Sequence, residues 1–135
     1  MLGKPADLDE AREMLRLLAG RRHAVHTAVT IVSLSCRIDR TQLSTAHVWM
    51  KPYHAETHER YVATGDGLGK AGAYAVQGPG SVLIERLEGD FPTVVGLPLR
   101  LVAGLLAQAG VEVPVDVEQL YETKPYENWA HLAAQ

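Results

Sequence analysis

The sequence has little of what marks secreted or membrane proteins. Cysteine occurs once, at Cys36, so one chain cannot form an intramolecular disulfide, and we expect a reducing, cytoplasmic location. No stretch approaches the roughly 20 consecutive apolar residues of a membrane span. The N-terminus, MLGKPADLDE, also lacks the apolar segment of a secretory signal. We therefore expect an intracellular protein with no membrane partner.

Positive charge is scarce as well. The 13 lysine and arginine residues face 16 aspartate and glutamate residues, for a formal net charge of -3. Binding a polyanion such as duplex DNA by counterion release needs a basic face, so we expect no nucleic-acid partner. A small anion is still a suitable ligand, because a few local cations, backbone N–H groups and a bridging metal can hold it.

What is present is the composition of an ordinary globular protein. Of the 135 residues, 47% are hydrophobic and 21% are charged, which is typical of a domain that buries one core. Neither a repeat nor a linker divides the chain. We expect a single domain over residues 1–135.

Apolar spacing predicts alternating helices and strands. Asp7, followed by Glu10 three residues later, is a capping-box start for a helix that Gly20 ends. Residues 24–34 are apolar and β-branched on both faces, which predicts an interior strand covered on both sides. The other predicted elements are a strand at residues 45–50 ended by Pro52, a helix at 55–63, a strand at 81–87 and a helix at 95–109 that starts near Leu97. The predicted anchors of the tail, residues 111–135, against the body or a second subunit are Tyr121, Tyr126 and Trp129.

Residues 64–80, TGDGLGKAGAYAVQGPG, contain six glycines, too many for regular structure. Gly67, Gly69 and Gly72 have the spacing G-x-G-x-x-G, but a dinucleotide fingerprint follows a strand, and a short helix is predicted here. A Walker-type phosphate loop is excluded, because Thr64 replaces its first glycine and Ala71 its Ser or Thr.

Two other patterns suggest binding residues. His54 and His58 flank Glu56, but the glutamate is one position too late for a zinc-protease helix, and we expect solvated helix histidines. Lys70 stands among small residues and lies seven residues before Gln77, so it is either a solvated turn residue or a phosphate ligand.

Three stretches, taken together and in order, resemble the Maf family of nucleoside triphosphate pyrophosphatases. They are LGKP at residues 2–5 with the helix that ends MLRLLAG at residue 20, GKAGAYAVQG at 69–78, and VLIERLEGDF at 82–91 leading into VVGLPL at 94–99. The resemblance covers roughly residues 2–110. It implies an α/β fold with an elongated mixed sheet and flanking helices, related to the inosine triphosphatases, and a homodimer.

The resemblance also implies an activity. The implied activity is that of a magnesium-dependent (or manganese-dependent) hydrolase that converts a pyrimidine nucleoside triphosphate to the monophosphate and pyrophosphate. The implied substrate is dTTP, UTP or a modified form of them. By position, Lys4 and Lys70 would neutralise triphosphate oxygens, as suits phosphoryl transfer, and Gln77 would help select the base. Asp66 would be the metal ligand, although the family more often has glutamate there, and Gly67 stands where a proline or another residue is common.

One expectation from the family is not met. Its members carry an upstream strand, a Ser-x-x-Arg-Arg turn and an Ala-Asp-Thr motif with the catalytic aspartate, whereas this sequence begins one residue before the leucine of LGKP. The catalytic residue is therefore unassigned and the first lobe is expected to be incomplete, leaving the strand at 24–34 uncovered and the chain self-associated. Three hypotheses stay open: an enzyme, a catalytically inactive Maf-like protein that binds nucleotides or acts in division, and an α/β dimerisation module without a ligand.

Overall fold

A computed structural model describes residues 1–133 and shows helices packed on a three-stranded sheet. The strands are β1 (Arg22–Ser33), β2 (Ile38–Met50) and β3 (Ile84–Glu88), in that order across the sheet. The helices are α1 (Leu8–Leu18), α2 (Ala55–Ala63), α3 (Phe91–Val95), α4 (Leu99–Gln108), α5 (Val117–Thr123) and α6 (Trp129–Ala133). The predicted α/β class is confirmed. Over residues 1–133, however, the sheet is antiparallel rather than mixed.

Helix α1 begins where the sequence predicts. The Asp7 carboxylate accepts a hydrogen bond from the Glu10 N–H at 2.8 Å, and the Glu10 carboxylate accepts one from the Ala6 N–H at 2.6 Å. The two side chains thus satisfy N–H groups that have no partner inside the helix. Gly20 follows the helix and turns the chain into β1 with a φ of 67°.

Strand β1 is an edge strand, which corrects the predicted interior position. Within residues 1–133 it pairs with β2 alone, and its side chains alternate between exposed and partly buried. Its composition suits two covered faces, but composition does not reveal how many strands lie on either side. Strand β2 starts at Ile38 rather than Thr45, because residues 38–44 pair with the far half of β1. Most of that segment is exposed, so it lacks the apolar alternation of a half-buried strand.

Two predicted boundaries differ around β3. The strand starts at Ile84 rather than at residue 81, because residues 78–83 form a 3-10 turn that contains a proline. The predicted helix at 95–109 is instead two helices. Gly96 ends α3 with a φ of 119°, and Pro98 precedes the first residue of α4.

One apolar core joins α1, the sheet and the tail. Its buried members include Met14, Leu15, Leu18, Val48, Met50, Leu83, Ile84, Phe91, Trp129 and Leu132. Among residues 1–133, no helix is long and apolar enough to span a membrane.

Trp129 ties the C-terminal tail to the core, as the sequence predicts for the aromatic residues there. Its side chain is only 3% exposed and stacks on Phe91 with ring centroids 5.5 Å apart. Tyr121 meets the same ring edge-on at 5.0 Å, and Tyr126 stacks on it at 5.6 Å. The last two residues of the predicted tail, 134 and 135, lie outside the described residues.

A second contact ties β1 to the glycine-rich segment. The Tyr74 hydroxyl lies 2.7 Å from Nε2 of His23, and both rings meet edge to face. Nδ1 of His23 is buried and has no hydrogen-bond partner within residues 1–133. Burial lowers the pKa of His23 below its ordinary value of 6.5, because the charged ring is poorly solvated there.

Replacing Trp129 with alanine should destabilise the protein by about 3 to 5 kcal/mol, the usual cost of emptying a large buried aromatic site. Urea titration followed by circular dichroism measures the change. Tyr126→Ala is the control, because this ring is 38% exposed and its loss should cost much less. Equal losses in both variants would contradict the anchoring role of Trp129.

His23 should make the protein less stable in acid. Because its pKa is lower in the folded chain, the unfolded chain takes up the proton first as the pH falls through about 6.5, and unfolding becomes easier. His23→Gln should flatten the decline in the free energy of unfolding between about pH 7 and pH 5. Above about pH 7.5 the two curves should run parallel. The same acid slope in both proteins would contradict the assignment.

Candidate functional site

The glycine-rich segment between α2 and β3 folds back on itself. A Cβ added at Gly67 would lie 2.3 Å from the Ala73 carbonyl oxygen, and one added at Gly80 would lie 2.3 Å from the Ala75 carbonyl oxygen. Side chains at these positions would collide with backbone atoms. The segment therefore forms a compact loop with two 3-10 turns, at residues 71–73 and 78–83.

The N-terminal segment lies against this loop. The Gly72 N–H donates a hydrogen bond to the Gly3 carbonyl oxygen at 3.0 Å. This bond connects the LGKP stretch, residues 2–5, with the Lys70 turn, although about 70 residues separate them in sequence. Lys4 is exposed and Lys70 is partly exposed, so solvent reaches both side chains.

Lys70 is held by a short network of hydrogen bonds. Its Nζ donates to the backbone oxygen of Asp66 and lies 3.2 Å from the Asp66 Oδ1. The Tyr61 hydroxyl donates to the Asp66 Oδ2 at 2.8 Å. Burial, together with the Asp66 carboxylate, raises the pKa of the Tyr61 hydroxyl above 10.0, so it stays a proton donor.

Tyr61 also reaches the turn that follows Gln77. A Cβ added at Gly80 would lie 3.1 Å from the Tyr61 hydroxyl, so this hydroxyl packs between the Asp66 turn and the backbone at Gly80. Sequence reasoning missed Tyr61, because its place on the buried side of α2 resembles that of any core tyrosine.

Gln77 lies directly before the second 3-10 turn and is partly buried. Its neighbours on either side, Val76 and Gly78, both accept hydrogen bonds from the side-chain amide of Asn128, at 3.0 Å and 3.3 Å. Asn128 comes from the C-terminal tail, and its sequence context contains no signal that predicts this contact.

The donor set around Asp66 does not by itself fit a metal ion. Both carboxylate oxygens already face hydrogen-bond donors, the Lys70 ammonium and the Tyr61 hydroxyl. A metal ion there would adjoin a cation, which like-charge repulsion disfavours. Moreover, the part of the chain that the structure describes contains no group of three or more His, Cys, Asp or Glu side chains placed to hold one. Metal binding at Asp66 stays a prediction.

A cavity of about 340 Å³ lies elsewhere, between β3 and the tail, where Asp90, Arg100, Tyr121 and Lys124 contribute to its wall. None of the predicted site residues lines it. Arg100 is engaged there by Glu118, at 2.6 Å. We therefore place the candidate site at the glycine-rich loop, where the motifs meet, and not at this cavity.

The histidine pair of α2 differs in part from its prediction. His54 is exposed, but His58 is buried, and its Nδ1 lies 2.9 Å from the His54 carbonyl oxygen. The prediction of two solvated histidines is thus wrong for His58. The ring packs beside Tyr53 at 4.5 Å between centroids and fills space at the base of the helix.

Known proteins resemble this chain over most of its length. Residues 1–109 match the family model described as Maf-like protein. A dTTP/UTP pyrophosphatase of Methanosarcina barkeri is 44% identical over 113 residues, which are 84% of this chain and 57% of that protein. A dTTP/UTP pyrophosphatase of Cupriavidus metallidurans is 46% identical over 111 residues, 82% of this chain and 54% of that protein.

The chain thus spans about half the length of the curated relatives it matches. The similarity includes the loop that carries Lys70 and Gln77, and the N-terminal stretch that carries Lys4. Since the family model matches well over half of the residues, this chain belongs to the Maf-like protein family.

Proposed function

We propose that this chain is part of a nucleoside triphosphate pyrophosphatase that acts on a pyrimidine substrate such as dTTP or UTP. The observation that supports the proposal best is the backbone hydrogen bond from the Gly72 N–H to the Gly3 carbonyl oxygen, which joins the segment of Lys70 to the segment of Lys4. The names of the relatives, dTTP/UTP pyrophosphatases, support the substrate class.

In the proposed reaction, a water molecule attacks the α-phosphorus, and the bond from that atom to the oxygen bridging to the β-phosphorus breaks. The products are the monophosphate and pyrophosphate. Such transfer depends mainly on positioning and on neutralising charge on the phosphate oxygens. Lys70 and Lys4 supply positive charge, and Gln77 offers both a donor and acceptors to a base.

The proposal includes magnesium or manganese and a cytoplasmic location. The contacts of Asp66 give no separate support for a protein-held metal. Magnesium commonly keeps several water ligands and binds through substrate phosphates, so we propose that it arrives with the triphosphate. The cytoplasm is proposed because Cys36 is exposed and free, as is usual in a reducing compartment.

A second candidate function is nucleotide binding without turnover, in an inactive or division-linked Maf-like protein. The Asp66 carboxylate favours this candidate, because it is bonded to Lys70 and Tyr61 and is not positioned as a free base. Pyrophosphate release from dTTP, UTP and GTP with magnesium, beside calorimetry, separates the two. Turnover supports the enzyme, and binding without turnover supports the second candidate. The absence of both turnover and binding would contradict both candidates.

Lys70→Ala should weaken UTP binding about 10-fold to 100-fold, the usual cost of losing a hydrogen bond to a charged group. The uncompensated Asp66 carboxylate would add repulsion. Calorimetry measures the affinity, and Lys51→Ala is the control, because Lys51 is exposed and lies outside both motifs.

Gln77→Ala should instead reduce the preference for UTP over GTP. Unchanged affinity and preference in both site variants would overturn the assignment.

We also propose that two copies pair through the edge of β1 that has no strand partner within residues 1–133. This edge is unusually suited to strand addition, since residues 23–36 contain no charged residue and no proline, the common protections of an edge. If Ala28 of one copy faces Ala28 of the other in an antiparallel pair, Val25 faces Ile31 and Arg22 faces Leu34. The only charge of the strand then meets an uncharged side chain.

Ala28→Lys should convert the dimer to a monomer, because the pairing places two ammonium groups opposite each other. Light scattering after gel filtration at micromolar concentration measures the mass. Leu43→Lys is the matched control: Leu43 lies opposite Ala28 on β2, on the same face but one strand away from the edge. A monomeric wild-type chain, or equal effects of both lysines, would contradict pairing through β1.

A further inference from the structure

The side chain of Asn128 is hydrogen-bonded to the backbone on both sides of Gln77, the residue predicted to select the base. The Asn128 Nδ2 donates to the Val76 carbonyl oxygen at 3.0 Å and to the Gly78 carbonyl oxygen at 3.3 Å. These carbonyls belong to the residues directly before and after Gln77. The backbone of Gln77 is therefore held on both sides by one amide group.

The contact requires a side-chain nitrogen with more than one N–H, and the asparagine amide supplies it. A primary amide has two N–H groups on one nitrogen, and backbone carbonyls only accept, so the nitrogen must face them. The backbone at Asn128 has a φ of 66°, a left-handed conformation that asparagine adopts more readily than most other residues. Side chain and backbone preference thus select the same residue type at this position.

Asn128 lies in a part of the tail that is packed into the core. The next residue is the buried Trp129, and the Asn128 carbonyl oxygen accepts from the Leu132 N–H at 2.9 Å in the first turn of α6. Leu132 is itself 1% exposed. The amide is therefore carried by a segment packed in the core, although this segment lies beyond the residues 1–109 that match the family model.

We propose that Asn128 is a positioning residue for Gln77, and that through it the C-terminal tail sets how strongly the site prefers one base. This inference rests on the proposed function. By fixing the peptide units around Gln77, the amide limits the directions in which the Gln77 side chain extends. If the backbone around Gln77 becomes more mobile, the side chain discriminates less between bases. The affinity of Lys4 and Lys70 for phosphates does not change.

The test compares nucleotides with a ligand that has no base. Asn128→Gly keeps a backbone suited to positive φ and removes only the amide, and Asn128→Asp keeps the shape but turns two donors into acceptors. Calorimetry with UTP, GTP and inorganic tripolyphosphate gives three affinities for each protein. We expect the UTP-to-GTP preference to fall about 2-fold to 10-fold, as for one lost hydrogen bond, with tripolyphosphate affinity unchanged. Glu127→Ala is the control, because Glu127 is an exposed neighbour in the same tail.

Two results would overturn the proposal. One is an equal loss of affinity for all three ligands, which marks Asn128 as a structural tie only. The other is a further loss of preference when Asn128→Gly is added to Gln77→Ala, because a residue that acts through Gln77 has no effect once that side chain is gone.

Failure of the proposed function would be recognised separately. If the wild-type chain binds neither nucleotides nor tripolyphosphate, the proposed function is wrong, and amide hydrogen exchange decides the positioning role. Faster exchange at residues 76–80 in Asn128→Gly, with unchanged rates in β2, would support the conclusion that Asn128 holds the backbone on both sides of Gln77. Unchanged exchange at those residues overturns it.

Discussion

The site depends on places where one stretch of backbone contacts another directly. At Gly67 an added Cβ would collide with the Ala73 carbonyl oxygen. Glycine at residue 67 makes the first of these approaches possible. At Gly72 the backbone N–H donates a hydrogen bond to the Gly3 carbonyl oxygen. Because this hydrogen bond is made by main-chain atoms, it fixes the segments that carry Lys4 and Lys70 beside each other independently of the lysine side chains.

The charge of Lys70 is compensated without being buried. The Lys70 side chain is 39% exposed, and its partner Asp66 is held from the other side by the Tyr61 hydroxyl. Ion pairs this exposed contribute little to stability, so breaking the contact between Lys70 and Asp66 would cost the fold little. The network therefore orients the ammonium group and leaves it available.

Local signals were sufficient where local chemistry decides the structure. Asp7 and Glu10 predicted the start of α1, and α2 has the bounds expected of it. The edge position of β1 was not predictable, because it depends on which strands the rest of the sheet provides. The sequence did not predict the break between α3 and α4. The residues on both sides of Gly96 are apolar, so the pattern resembles one continuous helix, although Gly96 adopts a left-handed conformation that ends α3.

The candidate site divides in the same way. The motifs around Lys4, Lys70 and Gln77 were visible in sequence, and the bond from Gly72 to Gly3 joins two of their segments. Tyr61 and Asn128 were not visible, since a hydroxyl and an amide acquire their roles only from the carboxylate and carbonyls that the fold places beside them. Long-range polar contacts of this kind leave no periodic pattern in a sequence.

The two tryptophans of this chain differ in burial: Trp129 is buried, and Trp49 is partly exposed. Trp129 is enclosed by aromatic rings, while Trp49 lies on the outer face of the sheet, with the Arg86 guanidinium 3.5 Å from its ring centroid. An enclosed indole emits at shorter wavelength than one beside water and a cation. The intrinsic fluorescence of this protein therefore carries two separable signals, one for the seating of the tail and one for the sheet surface.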